Sequence, residues 1–257
     1  GIVIVGDIDV DAVEAKVKKM FSEIPMPVNA AERVYSAIPD NKEPVVAIAT
    51  DPELSSTSIS LYFKEDMPSK EFKQSEEGVF RSILDAFVSS ILSSRYREIS
   101  QKKDAPFLGA YVSKEDFIVS KNKLAWTVGA GCKEGEIVPA LEALIRETER
   151  AQRFGFLSSE VEGAKIALLQ SYENAYNNRD KRETGELTGI YVNSFIEDTP
   201  ISGIEYEYEL LKKMLPKIDA NLLNAYVKGV NLSEKLSIIV MGPEKKDLVY
   251  PTADSLI

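Results

Sequence analysis

Histidine is absent from all 257 residues, and cysteine occurs once, as Cys132. The first absence removes Ser-His-Asp and Cys-His nucleophile systems, because each needs an imidazole as general base. It also removes catalytic zinc sites built on histidine. One cysteine can form neither an intrachain disulfide nor a Cys-cluster zinc site. No apolar run approaches the roughly 18 residues that would mark a membrane-spanning helix. Positive charge is in deficit as well: 31 Lys and Arg face 41 Asp and Glu, a net charge of −10. An acidic chain repels a phosphate backbone, so nucleic acid is not an expected partner. The best basic patch, Arg179, Lys181 and Arg182, is interleaved with Asp180 and Glu183 and reads as a solvated helix face.

What remains is ordinary for a globular chain, with 44% hydrophobic and 28% charged residues. A chain of this size buries roughly 70–75% of its unfolded surface, so it needs no disulfide or metal staple. The length fits one large domain, or one domain carrying part of a neighbour. Ile2-Val3-Ile4-Val5 reads as a buried strand closed by the turn signal Gly6-Asp7. A chain that opens in this way is expected to belong to a longer polypeptide. Missing targeting signals then leave both the cytoplasm and the cell envelope open.

Asp9 is the expected N-cap of a helix running to Phe21, with Asp11 and Glu14 near its start and Lys16, Lys18 and Lys19 nearer its end, as the helix dipole favours. Val10, Val13, Val17, Met20 and Phe21 share one face. Pro25, Pro27, Pro39 and Pro44 mark residues 25–44 as an extended linker. Beyond it the pattern predicts strands over 45–50 and 57–63, joined by the Asp51-Pro52 turn, and a long helix over 69–101. Two further strands follow over 108–120 and 123–131. Helices are then expected over 137–154, from a capping box at Ser159 and Glu162 to about 177, and over 182–196, 204–214 and 220–228. A last strand covers 236–241. This order predicts an α+β two-layer sandwich, a mostly antiparallel sheet covered by helices. Ile4-Val5-Gly6-Asp7 and Val240-Met241-Gly242-Pro243 echo one another, as the last strands of tandem domains of one type would.

Several local patterns invite chemistry. Gly129-Ala130-Gly131-Cys132-Lys133-Glu134-Gly135 lies where a dinucleotide fingerprint would sit, but the spacing is one residue too long and Glu134 and Glu136 would face the phosphates. A plain strand-to-helix turn is the better reading. Ser100-Gln101-Lys102-Lys103 matches the S-x-x-K pattern of acyl enzymes without its companion motifs. Glu205, Glu207 and Glu209 alternate with Tyr206 and Tyr208, which suits an exposed acidic face with aromatic stems packed inward better than an acid–base pair. Arg95, Tyr96 and Arg97 follow Ser89, Ser90, Ser93 and Ser94. Small residues admit a close surface and an arginine clasps carboxylates or carbonyls, so Arg95 is the candidate interface or peptide contact. The bland alternative is a polar helix end with solvated arginines. No residue is assigned a catalytic or metal-binding role.

Taken together, Ile2-Val-Ile-Val-Gly-Asp-Ile-Asp9, the helix ending Met20-Phe21-Ser-Glu-Ile-Pro25, and Ile91-Leu-Ser-Ser-Arg95 ahead of Glu98 resemble the insulinase/pitrilysin family of zinc metallopeptidases. The resemblance implies a domain like those of mitochondrial processing peptidase, in which tandem α+β domains close as two halves around an unfolded peptide. The family's inverted H-x-x-E-H zinc motif cannot be present here, so no zinc ligand carries over. By this resemblance residues 1–24 are the trailing strand and helix of an upstream domain, 25–44 a linker, 45–250 a non-catalytic domain, and 251–257 the start of the next linker. The implied partners are the upstream catalytic domain of the same chain and a peptide substrate, with zinc held by the parent protein and none by this part of it. The implied role is to enclose substrate in a zinc-dependent metalloendopeptidase while being inactive alone. An alternative is a structural or assembly domain of a family member that has lost catalysis. A third reading, an autonomous nucleotide-binding enzyme, rests only on the glycine loop.

Overall fold

The structure is a computed structural model and describes residues 1–32, 34–197 and 199–257. Alternation along one strand sets the two faces of its sheet. In β2 (Thr57–Asp66), Ile59, Leu61 and Phe63 are buried, while Ser58, Ser60 and Tyr62 are half-buried on the opposite side. The other strands are β1 (Val45–Asp51), β3 (Gly109–Asp116), β4 (Lys123–Cys132) and β5 (Leu236–Pro243), in the order β1-β5-β2-β4-β3. Leu61 stands opposite Val128 of β4 and Ile238 of β5, and Phe63 opposite Trp126, so the apolar residues line one face in register. Only β1 and β5 pair in parallel.

The eight helices are α1 (Val10–Phe21), α2 (Lys70–Lys73), α3 (Glu76–Ser100), α4 (Ile137–Phe154), α5 (Ser158–Asn177), α6 (Thr184–Glu197), α7 (Ile204–Met214) and α8 (Ala220–Gly229) among the described residues. Leu84, Phe87, Val88, Ile91 and Leu92 of α3 and Ala140, Leu141 and Leu144 of α4 meet the sheet's apolar face in one core, with Trp126 fully buried. Leu211 of α7 and Leu223 and Val227 of α8 join it. The fold is the expected α+β sandwich.

Four local expectations are corrected. The helix predicted over 69–101 is two helices: Ser69 caps α2, and the Ser75 hydroxyl accepts from the Gly78 amide at 3.0 Å to begin α3. Gly78 makes the break possible, since a Cβ there would lie 2.0 Å from the Phe72 carbonyl oxygen. The strands at 45 and 57 are not neighbours. β5, with Ile238 and Val240 buried, fills the position between them, and mostly exposed β1 is left at the edge. The capping box is not at Ser159 and Glu162, because the N-cap of α5 lies two residues earlier, at Leu157, and uses Glu160, whose carboxylate accepts from the Leu157 amide at 2.7 Å. Finally, Ile2 to Val5 forms no strand: it has no ladder partner among the described residues.

The helix after it does form. Asp9 Oδ1 accepts from the Ala12 amide at 3.0 Å, and Glu14 pairs with Lys18, but α1 buries no residue. At the other terminus Leu256 is buried in the hydrophobic core, and Tyr250 packs against that core.

Candidate functional site

Of the serines singled out on α3, Ser93 reaches the chain's own sheet, while Ser90 and Ser94 are exposed. Ser93 Oγ accepts from the Val112 amide at 2.9 Å and approaches the Val112 carbonyl at 3.5 Å, so α3 covers the free edge of β3. Two residues further on, Arg95 lies at the junction of α3, α4 and α5. Its side chain is buried, and four of the five guanidinium N–H groups donate within the chain. Nε and Nη2 form a fork onto Glu160 at 2.6 and 2.8 Å, Nη1 donates to Glu147 at 3.0 Å, and Nη2 also donates to the Gly155 carbonyl at 3.1 Å. The Phe156 ring lies 5.0 Å from the guanidinium carbon. The hydrogen bond that Arg95 donates to Glu160 raises the Arg95 pKa further. Burial works to raise the Glu160 pKa, but the hydrogen bonds from Arg95 and the Leu157 amide outweigh it and hold the carboxyl below its ordinary value.

Arg95 was singled out by its charge and its small neighbours, whereas Glu147 and Glu160 carried no sequence signal of their own. Glu160 becomes recognisable only once the start of α5 is placed correctly. Tyr96 donates to the Leu144 carbonyl at 2.8 Å and shares a hydrogen bond with Thr148 at 2.8 Å, and burial pushes its phenol pKa up. Arg97 is exposed. The junction is thus a clasp between helices. It holds no nucleophile paired with a base.

The other patterns disperse. Gly129 and Gly131 lie inside β4, and a Cβ on Gly129 would sit 2.6 Å from the Tyr111 ring, so this glycine serves cross-strand packing. Ser100 Oγ donates to the Arg97 carbonyl at 2.8 Å, which is a helix-end contact. Glu205 pairs with Arg179 at 3.1 Å, Glu207 with Ser202 at 2.6 Å and Glu209 with Lys212 at 2.6 Å, while Tyr208 stacks on Tyr176. Cys132 is buried, which pushes its thiol up to about 11.

Two charged features had no sequence signal. In a cleft between α3, the ends of β2 and β3, and α6, the Lys114 ammonium bridges Glu65 at 2.9 Å and Asp85 at 3.1 Å beneath the Trp126 ring, and Asp85 also accepts from Tyr226. No group of three or more metal-ligating side chains is found among the described residues. The second feature pins residues 36–40 to the sheet. Asp40 receives Lys123 at 2.8 Å and Lys235 at 2.7 Å, Lys64 donates to the Pro39 carbonyl at 3.0 Å, and Asn122 to the Ser36 carbonyl at 2.9 Å. The lysine hydrogen bonds hold the Asp40 carboxyl down at about 2.

Comparison with known proteins bears on what such a domain is for. Residues 2–168 match the family model described as the peptidase M16 inactive domain. The chain is 24% identical over 208 residues to a zinc protease PQQL-like protein of Arabidopsis thaliana, covering 80% of this chain and 18% of that protein. It is also 24% identical over 224 residues to the probable zinc protease PqqL of Escherichia coli (strain K12), covering 86% of this chain and 23% of that protein. The solved first half of the periplasmic protease PqqL from Escherichia coli superimposes with a TM-score of 0.78 at 19% identity, covering 98% of this chain and 53% of that one, which shows a shared fold. The chain spans about a fifth of the length of the curated relatives it matches.

Proposed function

The chain belongs to the peptidase M16 inactive-domain family, and on that premise we propose that it is the substrate-enclosing, non-catalytic domain of a zinc-dependent metalloendopeptidase that cleaves peptides or unfolded segments. The observation that carries this reading is the match over residues 2–168 in a chain without a single histidine. The relatives are named zinc proteases, yet the donor set here does not fit a catalytic zinc: the one thiol is buried and raised to about 11. Zinc chemistry is therefore assigned to another domain of the same polypeptide. This domain contributes a wall that excludes water from the peptide once the halves close.

The same reading divides the chain into 1–24, the end of the upstream domain, 25–44, a linker, a main domain from 45 onward, and the start of a second linker after 250. The burial of Leu256 favours a main domain that extends a few residues past 250. Arg95 was the expected contact to a partner or peptide. With every polar contact it makes lying inside the chain, the geometry favours an indirect part, in which it holds α4 and α5 on α3 so that the wall keeps its shape.

The test uses the parent polypeptide and the 257-residue chain side by side. Zinc content and cleavage of a fluorogenic peptide library are measured on both. The expected result is zinc and chelator-sensitive cleavage in the parent, neither in the chain, and loss of cleavage with zinc retained when residues 45–250 are deleted from the parent. Full cleavage by that deletion variant would overturn the enclosing role. A parent that holds no zinc and cleaves nothing would assign the structural or assembly role instead.

A further inference from the structure

Helix α6 carries Leu187, Ile190, Tyr191, Val192, Phe195 and Ile196 and yet buries none of them. Phe195 is 69% exposed, Ile196 55% and Ile190 37%. The helix is tethered at its C-terminal end, where Lys73 donates to the Glu197 carbonyl at 3.1 Å and Lys121 pairs with the Glu197 carboxylate at 2.5 Å. Part of its apolar surface, at Leu187, Ile190 and Tyr191, lines a cleft with the loop at Pro200 and Ile201, and another part is met by the extended segment at the start of the chain. A Cβ on Gly1 would lie 3.0 Å from the Phe195 ring, and one on Gly6 would lie 4.0 Å from Thr184 Cγ2. The segment therefore runs antiparallel along α6. The lengths agree, since five residues of extended chain and eleven residues of helix both span about 17 Å.

The segment itself is apolar on both sides. Val3 and Val5 are half-buried, while Ile2 is 53% and Ile4 49% exposed. A strand with two apolar faces belongs between two layers, and only one is present here. We propose that α6, through Phe195 and Ile196, is the seat on which the upstream domain of the same polypeptide rests, with Gly1 to Gly6 as the strand of that domain nearest to it. This rests on the reading above that such a domain exists. What adds to that reading is the surface: the contact runs through α6, and it leaves the sheet's small-residue face (Ser58, Ser60, Thr127, Gly129) outside the contact.

The experiment is hydrogen–deuterium exchange on the parent polypeptide and on the 257-residue chain under identical conditions. Amides over 187–197 are expected to exchange slower by about tenfold or more in the parent, with the exposed face of α5 unchanged. Phe195→Asp, which alters an exposed side chain, is expected to leave the 257-residue chain folded and to abolish that protection in the parent. Exchange over 187–197 that is equally fast in both proteins, in a parent that binds zinc and cleaves peptide, would overturn the seat while leaving the enzymatic reading intact. Protection of α6 in a parent without zinc or cleavage would support the seat and overturn the enzymatic reading.

Discussion

Ser93 and Val112 are nineteen residues apart, and one hydroxyl engages both backbone groups of the edge-strand residue, accepting from its amide at 2.9 Å and reaching its carbonyl at 3.5 Å. This closes β3 as a template for another strand. An unpaired amide at a sheet edge costs free energy when part-buried and invites pairing with a second chain. Ser93→Ala should therefore cost about 1 kcal/mol in urea unfolding and raise self-association in light scattering. Unchanged stability and unchanged light scattering would show that the hydroxyl is dispensable.

Arg95→Ala should destabilise the chain by about 3 kcal/mol, because it removes the buried cation shared by Glu147 and Glu160 and leaves the buried Glu147 carboxylate only the more exposed Arg150. Arg95→Lys keeps the charge but loses the two-pronged grip on Glu160, so it should fall between wild type and alanine. The acid side has a definite sign. Glu160 is held below its ordinary pKa in the folded chain, so its contribution is present above about pH 4.3 and fades as pH falls below that. The Arg95→Ala chain should lack this fading component. Cleavage lost from the parent at unchanged stability would assign Arg95 a direct contact instead.

Asp40 makes the attachment of residues 36–40 to the sheet sensitive to acid. Its folded pKa of about 2 lies below the unfolded value of about 3.9, so the latch onto Lys123 and Lys235 is intact above pH 4 and is lost as pH falls toward 2. Asp40→Asn imitates the protonated state at neutral pH. It should speed proteinase K nicking between residues 25 and 42 while the melting temperature of the main domain stays nearly constant. A nicking rate equal to wild type would mean that Pro39, Asn41 and Ser36 hold the linker without help from the ion pairs.

Cys132 should be inert in the native state. Its thiol is buried and raised to about 11, so the thiolate that alkylating agents need is scarce and shielded at pH 8. Iodoacetamide labelling is expected to follow global unfolding and to become rapid only in denaturant. Fast labelling of a folded chain would reveal local opening of β4.

Much of this protein is local and was readable as such. The helix over 137–154 was predicted with the bounds that α4 has, because its apolar period, the preceding turn and Gly155 after it all act within a few residues. Asp9 as a cap and the buried alternation of Ile59, Leu61 and Phe63 were legible for the same reason. The residues that resemble insulinase/pitrilysin proteases also lie in short stretches, so the family was legible before the fold.

The rest depended on residues far apart in the chain. Arg95 stood out by its charge, but its partners are 52 and 65 residues away, so whether it would face water, a partner or its own chain could not be read locally. The break between α2 and α3 was hidden inside a continuous apolar period, and only the fit of the Phe72 carbonyl over Gly78 exposed it. Ile2 to Val5 has every local mark of a strand and forms none, because a strand needs a ladder partner and the chain described here supplies none. The insertion of β5 between β1 and β2 is of the same kind. Composition, periodicity and capping act over a few residues and so determined the elements and the missing histidine chemistry. Strand order, the burial of Arg95 and the seating of the first residues on α6 are decided by which distant surfaces exclude water from one another, and only the tertiary structure holds that information.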